Sequence, residues 1–306
     1  VGTLAGISDD IDQIQVVRED FMHALEEVQP AFGVNEEELQ AVVQNGIIHF
    51  AEHIHRILND GKLFVEQVRQ SQRTPLVSVL LHGPAGSGKT ALAATIAMAS
   101  QFPFIKLISA ENMIGFSEGE KITRLNKVFS DSYKSPLSVI VVDGIERILV
   151  NRLGTYWTEV LEWGTPGSHG SAQQTTSQGA PSLSSLPSPL TPTEPPFHNQ
   201  DRRLLILCTT SNRSMLTDMD VMDAFGADIR VPAIDTLQQL NYVLKDVELF
   251  RNQQEEQRTM QLLGQAGFNN EGRLNIGVKK LLSLAEMCRQ DPDGASDKLV
   301  SSLMEM

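Results

Sequence analysis

Only two of the 306 residues are cysteine, Cys208 in an apolar strand-like run and Cys288 in a helical pattern, and neither has metal-ligand spacing around it. That excludes a disulfide framework or a cysteine-based metal site and leaves two buried free thiols in a reducing compartment as the simplest reading. Basic charge is also short. Twenty-five Lys and Arg face 38 Asp and Glu, for a formal charge of −13, and no Lys/Arg-rich run offers a local exception. Such a chain repels a phosphate backbone or an anionic bilayer surface, so nucleic acid is not an expected partner. No segment approaches the roughly 18 consecutive apolar residues of a membrane span, and residues 1–30 lack the basic-then-apolar order of a signal peptide. A cytosolic protein without direct membrane insertion is expected. The 41% apolar content supplies a real core.

What is present is an ordered alternation of patterns. From Asp9 to Val28 apolar residues recur at helical spacing (Ile11, Ile14, Val17, Phe21, Leu25), closed by Gln29-Pro30. Helical periodicity resumes at Asn35 and runs through Val42, Ile47, Phe50 and Leu58 to an expected turn at Asn59-Asp60-Gly61. Then come an apolar strand at Val77–Leu81, a Gly-rich loop, a helix at Lys89–Ser100, a strand at Phe104–Ile108, a helix at Glu118–Tyr133 and a strand at Val139–Val142. Near-continuous apolar strands separated by helices predict an α/β fold with a parallel sheet flanked by helices. Residues 164–200 hold seven of the 14 prolines and a single charged residue, Glu194, so residues 151–200 read as an irregular, disordered insert. Strands at Arg203–Cys208 and Ile229–Val231 follow, and helical segments 235–248, 253–264, 276–290 and 295–304 form a small C-terminal helical lid domain. The expected divisions are 1–33, 34–233 and 234–306.

Gly83-Pro84-Ala85-Gly86-Ser87-Gly88-Lys89-Thr90 matches G-x-x-x-x-G-K-[ST] in full, between an apolar strand and a helix that continues with Ala91. Backbone N–H groups of such a loop turn inward around phosphate, Lys89 contacts the β- and γ-phosphates, and the Thr90 hydroxyl ligates Mg²⁺. This predicts a nucleoside triphosphate site. Val139-Ile140-Val141-Val142 ends in Asp143, a carboxylate at the strand edge expected to partner the metal. Gly144 then stands where a fast ATPase needs a carboxylate to polarise the attacking water. Glu146, two positions on, is expected to point elsewhere and serve as a salt-bridging surface residue. The site therefore reads as one of firm binding and slow hydrolysis. Thr209-Thr210-Ser211 read either as a γ-phosphate sensor or as an ordinary polar strand end, and Lys279-Lys280 either as a second cation over the phosphates or as a solvated helix face.

Taken together these residues resemble the AAA+ ATPases. The runs Gln29–Gly33, Asn45–Ile48, Arg73–Leu81, Thr90–Ala94, Met113–Glu118 and Ile145–Leu149 are similar, within that superfamily, to the vesicle-fusing ATPases (the N-ethylmaleimide-sensitive factor family), and there to the second of two ATPase domains. The resemblance covers about 9–150 and 202–306. It implies ATP as the nucleotide, with Asn45, Gly46, Ile47 and Ile48 lining the adenine pocket. It also brings Ile276, Gly277 and the sensor lysine Lys279 from the lid, puts Ser211 at the first sensor position, and has Arg203 reach the nucleotide of a neighbouring subunit. The helix at 9–28 becomes the tail of a preceding ATPase domain. The family role of the second domain is mainly ATP-dependent assembly of a homo-hexamer. SNAP adaptors and SNARE complexes are engaged through other parts of the full-length protein, in the cytoplasm and at the periphery of Golgi and transport-vesicle membranes. The alternative is an autonomous protein-remodelling motor with Met113-Ile114-Gly115-Phe116 as its pore loop, although Met stands where such motors usually have an aromatic grip. Residues 151–200 depart from the family pattern, as a retained intron or splice error or as a genuine insertion, and that departure bears on hexamer assembly.

Overall fold

The computed structural model describes residues 17–27, 33–34, 36–44, 46–71, 75–149, 202–268, 274–291 and 294–305. The predicted insert at 151–200, Asn45 and residues 9–16 of the first helix lie outside them. Five described strands form one parallel sheet in the order β2-β3-β4-β1-β5: β1 Leu76–His82, β2 Phe104–Ser109, β3 Leu137–Asp143, β4 Arg203–Thr210 and β5 Ala227–Arg230. The three central strands are buried along most of their length, as expected for strands covered on both faces. Strand β4 separates β1 from β3. Its register sets Leu81 against Thr209 and Val142 against Cys208, so three strand tips lie side by side at one edge.

One face of the sheet is covered by α2 (Glu36–Val42), α3 (Glu52–Gln70) and α4 (Lys89–Ala99). The opposite face carries α5 (Glu118–Ser132) and the short helices α6 (Ile145–Ile148) and α7 (Arg213–Asp218), packed on Leu80, Phe104, Ile140, Val142 and Ile206. Helix α5 begins with a capping box: Ser117 Oγ accepts the Glu120 N–H, and the Glu120 carboxylate accepts the Ser117 N–H at 2.7 Å. Helix α1 (Arg18–Glu27) leaves Phe21 and Met22 exposed. The C-terminal helices α8 (Leu237–Asp246), α9 (Gln253–Leu263), α10 (Val278–Arg289) and α11 (Ala295–Met304) share the α3/α4 core through Leu240, Leu263, Leu281 and Leu299. A two-way bridge between Ile234 and Ile276 ties their start to the strand that feeds α10.

Two sequence expectations fail between residues 35 and 70. The helical run from Asn35 is interrupted: residues 46–50 are extended, and α3 starts afresh at Glu52. Second, Asn59-Asp60-Gly61 is not a turn, because α3 continues through it. Gly61 is there for packing. A Cβ at that position would lie 2.5 Å from Ile96 Cγ1 of α4, so glycine allows the two helices to approach. Cys208 and Cys288 are buried free thiols, as expected, and burial pushes the Cys208 thiol well above its ordinary range. Among the described residues no helix is long and apolar enough to cross a membrane.

Candidate functional site

A cavity of 560 Å³ opens where the loop after β1 meets the tips of β3 and β4, the segment 46–50 and the start of α10. That is the crevice outside the carboxyl ends of parallel strands where ligands of open α/β sheets bind. Its volume lies within the usual range for a small-molecule site. Gly86 and Gly88 have φ of +74° and +90°, a left-handed backbone that lets successive N–H groups line a concave loop. Helix α4 starts directly after Gly88 and points its positive N-terminal end at the same space.

Lys89 is almost completely buried, and its ammonium donates to the carbonyls of Gly83 (2.9 Å) and Pro84 (2.7 Å). Desolvation lowers its pKa from the ordinary lysine value, opposed by the carboxylates of Glu146 and Asp143. Buried Ser87 Oγ has no hydrogen-bond partner, an unpaired polar atom of the kind that a phosphate oxygen would satisfy. Thr90 Oγ1 donates to Asp143 Oδ1 at 2.5 Å, and the Thr209 hydroxyl donates to the same oxygen at 2.7 Å while accepting the Gly144 N–H.

These oxygens fit Mg²⁺, a hard cation held by one or two protein groups together with substrate phosphates. Among the described residues no group of three or more His, Cys, Asp or Glu forms a metal cage, which also suits an ion that arrives with a nucleotide. Thr90 would be the ligand and Asp143 would orient it.

Of the sequence-predicted residues, Gly46, Ile47, Ile48, Ala85, Gly86, Ser87, Gly88, Lys89, Thr90, Ala91, Asp143, Ser211 and Lys279 line this one cavity. Gly83 and Pro84 stand behind it as acceptors for Lys89. Lys279 is held by its backbone, its N–H donating to Gly86 O at 3.0 Å. A Cβ on Gly277 would come within 2.7 Å of Ala85 O and 2.9 Å of Gly86, so α10 docks straight onto the phosphate loop. Ile276 is in the core instead, bridged to Ile234. Arg203 is at the other end of β4, where its guanidinium donates to the carbonyls of Val68 and Arg69 at the end of α3.

Glu146 overturns the expectation made for it. It is not engaged in any ion pair among the described residues but lines the cavity, its Oε1 accepting the Ser211 N–H at 2.9 Å and its Oε2 buried without a partner. The cause is Gly144, whose φ of +64° and ψ of +52° turn the chain sharply at the end of β3. Helix α6 consequently starts back across the strand tips. Sequence reasoning also passed over Val42, Val43, Phe50 and Ile54, which wall the cavity beside Ile47 and Ile48, and the bridging role of Thr209. The alternation of Thr209 with buried Leu207 and Leu205 carries no cue to that role, since β4 is buried on both sides.

Comparison with known proteins agrees with this geometry. The model of the ATPase family associated with various cellular activities (AAA) matches residues 79–233. The chain is 45% identical over 296 residues to the vesicular-fusion protein sec18 of Schizosaccharomyces pombe, covering 97% of this chain and 34% of that protein. It is 38% identical over 288 residues to the vesicular-fusion protein SEC18 of Saccharomyces cerevisiae, with 94% and 34% covered. Against the vesicle-fusing ATPase of Dictyostelium discoideum the values are 35% over 281 residues, with 92% and 33% covered. The chain thus spans about a third of the length of the curated relatives it matches. Among solved structures the FIGL-1 AAA domain is similar in fold, with a TM-score of 0.51 at 20% identity over 79% of this chain and 70% of that one.

Proposed function

Because this chain belongs to the ATPase family associated with various cellular activities (AAA), we propose that it is an ATP- and Mg²⁺-binding domain of a vesicle-fusing ATPase, in which it acts mainly in ATP-dependent hexamer assembly and hydrolyses ATP slowly. The observation that carries this reading is the end of β3. Asp143 is committed to Thr90 and Thr209, and the next residue, Gly144, has no side chain to offer a water molecule. Similarity to the vesicular-fusion proteins over more than nine-tenths of the chain supports the place in vesicle traffic. In this reading the domain is the second of two in its parent protein. Arg203, on the far end of β4 from its own cavity, faces the nucleotide of a neighbouring subunit in the ring. SNAP adaptors and SNARE complexes are then engaged by the rest of the full-length protein, at Golgi and transport-vesicle membranes.

Nucleotide-dependent sedimentation tests the proposal. The purified chain should sediment as a larger species with Mg²⁺ and ATP than without, and Lys89→Ala should stay at the nucleotide-free size. A parent chain whose sedimentation ignores ATP while it still binds it would remove the assembly role. A second reading, a threading motor, draws on the exposed Ile114 and Phe116 next to each other on the loop after β2; Met113 is buried and unavailable as a grip. Protein-stimulated hydrolysis lost in Phe116→Ala would favour it.

A further inference from the structure

We infer that Glu146 is the catalytic residue that accepts the proton of the attacking water in this site, taking over from the position after Asp143 that Gly144 leaves empty. The inference rests on the reading of the cavity as an ATP site. Asp143 cannot serve, because its Oδ1 already accepts two hydroxyl hydrogens, from Thr90 and Thr209. Glu111 also reaches the cavity wall but is exposed to solvent. Glu146 combines three properties. One carboxylate oxygen is fixed by the Ser211 N–H at the tip of β4, the other is buried and unpartnered, and the group is close enough to Lys89 to act on its ammonium.

A carboxylate held at one oxygen and free at the other, in a cavity that already positions a lysine for phosphate, is arranged as a general base. The left-handed bend at Gly144, stabilised by the 3.0 Å bond from its N–H to Thr209 Oγ1, is what delivers it there. In the step itself the water oxygen forms a bond to the γ-phosphorus and its proton passes to Glu146. The bond from the γ-phosphorus to the β,γ-bridging oxygen breaks, and ADP leaves with that electron pair. Inorganic phosphate follows, and Glu146 returns its proton to solvent.

Glu146→Gln is the informative variant, since a glutamine oxygen still accepts the Ser211 N–H while the base is gone. The whole chain is used, with single-turnover release of γ-phosphate measured on the assembled, Mg²⁺-loaded species and equilibrium binding measured separately with AMP-PNP and with ADP. Expected are an unchanged melting temperature, phosphate release slowed about a hundredfold, and AMP-PNP affinity raised several-fold relative to ADP, because a negative charge facing the third phosphate has been removed. Release within twofold of the parent, or an unmoved AMP-PNP to ADP ratio, in a variant that binds nucleotide normally overturns the inference alone. A parent chain that binds neither nucleotide overturns the ATP reading with it.

Discussion

The phosphate end and the base end of the cavity are built differently. At the phosphate end, Lys89, Ser87, Thr209 and the loop glycines are fixed by buried hydrogen bonds and backbone geometry, and the lid is pinned to the loop through Lys279 and Gly277. At the other end Gly46, Ile47 and Ile48 are an extended strip between α2 and α3, half-buried or exposed, presenting apolar side chains and free backbone. The first arrangement recognises charge and tolerates almost no change. The second recognises shape and a few backbone groups, so its contribution is divided over many small contacts. Affinity should therefore fall steeply with lesions at one end and gently at the other.

The largest effect is expected for Lys89→Ala. Losing its charge-assisted contacts to phosphate, each worth about 1.5–3 kcal/mol, should weaken ATP binding roughly a hundredfold or more in a titration with a fluorescent analogue. Asp143→Asn comes next. It leaves Thr90 without its carboxylate, and by the usual cost of a lost outer-shell partner, about 10–100-fold, should weaken Mg²⁺-ATP binding while sparing metal-free ATP; equal losses with and without Mg²⁺ would remove Asp143 from the metal site. Gly277→Val tests the lid. Its side chain meets Ala85 O and Gly86, and an overpacking cost of about 1–3 kcal/mol should reduce affinity around tenfold without lowering the melting temperature of the sheet core.

At the base end, Ile48→Ala should cost only a few-fold, equally for ATP and ADP. A loss that depends on the number of phosphates would break the division drawn between the two ends. The smallest effect is on pH. His53 and His82 have pKa values lowered from the ordinary 6.5, in both cases chiefly by burial; for His82, at 3.8 Å from Asp228, that carboxylate opposes the shift while Arg213, Arg230 and Lys89 add to it. A lowered folded pKa means that the unfolded chain binds more protons below 6.5, so stability present above that value is lost as pH falls through the folded pKa. The melting temperature should decline between pH 7 and pH 5, less so in His82→Asn; a flat profile would contradict this.

The two ends also differ in how legible they are from sequence. The loop at 83–90 could be read because each residue type answers a backbone or charge requirement at fixed spacing, and strands β1, β3 and β4 because burial on both faces demands unbroken apolar runs. Residues 35–61 misled for the same reason in reverse. Apolar residues at 47, 48, 50 and 54 mimic helical spacing across a break, whereas Asn59-Asp60-Gly61 mimics a turn inside a helix that needs glycine for its contact with Ile96. Glu146 was misjudged because its direction depends on a single left-handed residue, Gly144. Composition gave the glycine's lack of a carboxylate but not the turn it makes. That turn also bears on repair of the site: a side chain at position 144 would have to adopt φ near +64°, which costs an L-residue roughly 1–2 kcal/mol, so Gly144→Glu is a strained replacement and not a simple restoration.

The account stands or falls on whether this cavity holds ATP more than it cleaves it. The direct measurement pairs equilibrium binding of Mg²⁺-ATP with its turnover on the same preparation of the chain. Saturable binding that disappears in Lys89→Ala, together with turnover far below about 1 s⁻¹, is the predicted result. Turnover at or above that rate, or binding indifferent to Lys89, would contradict it.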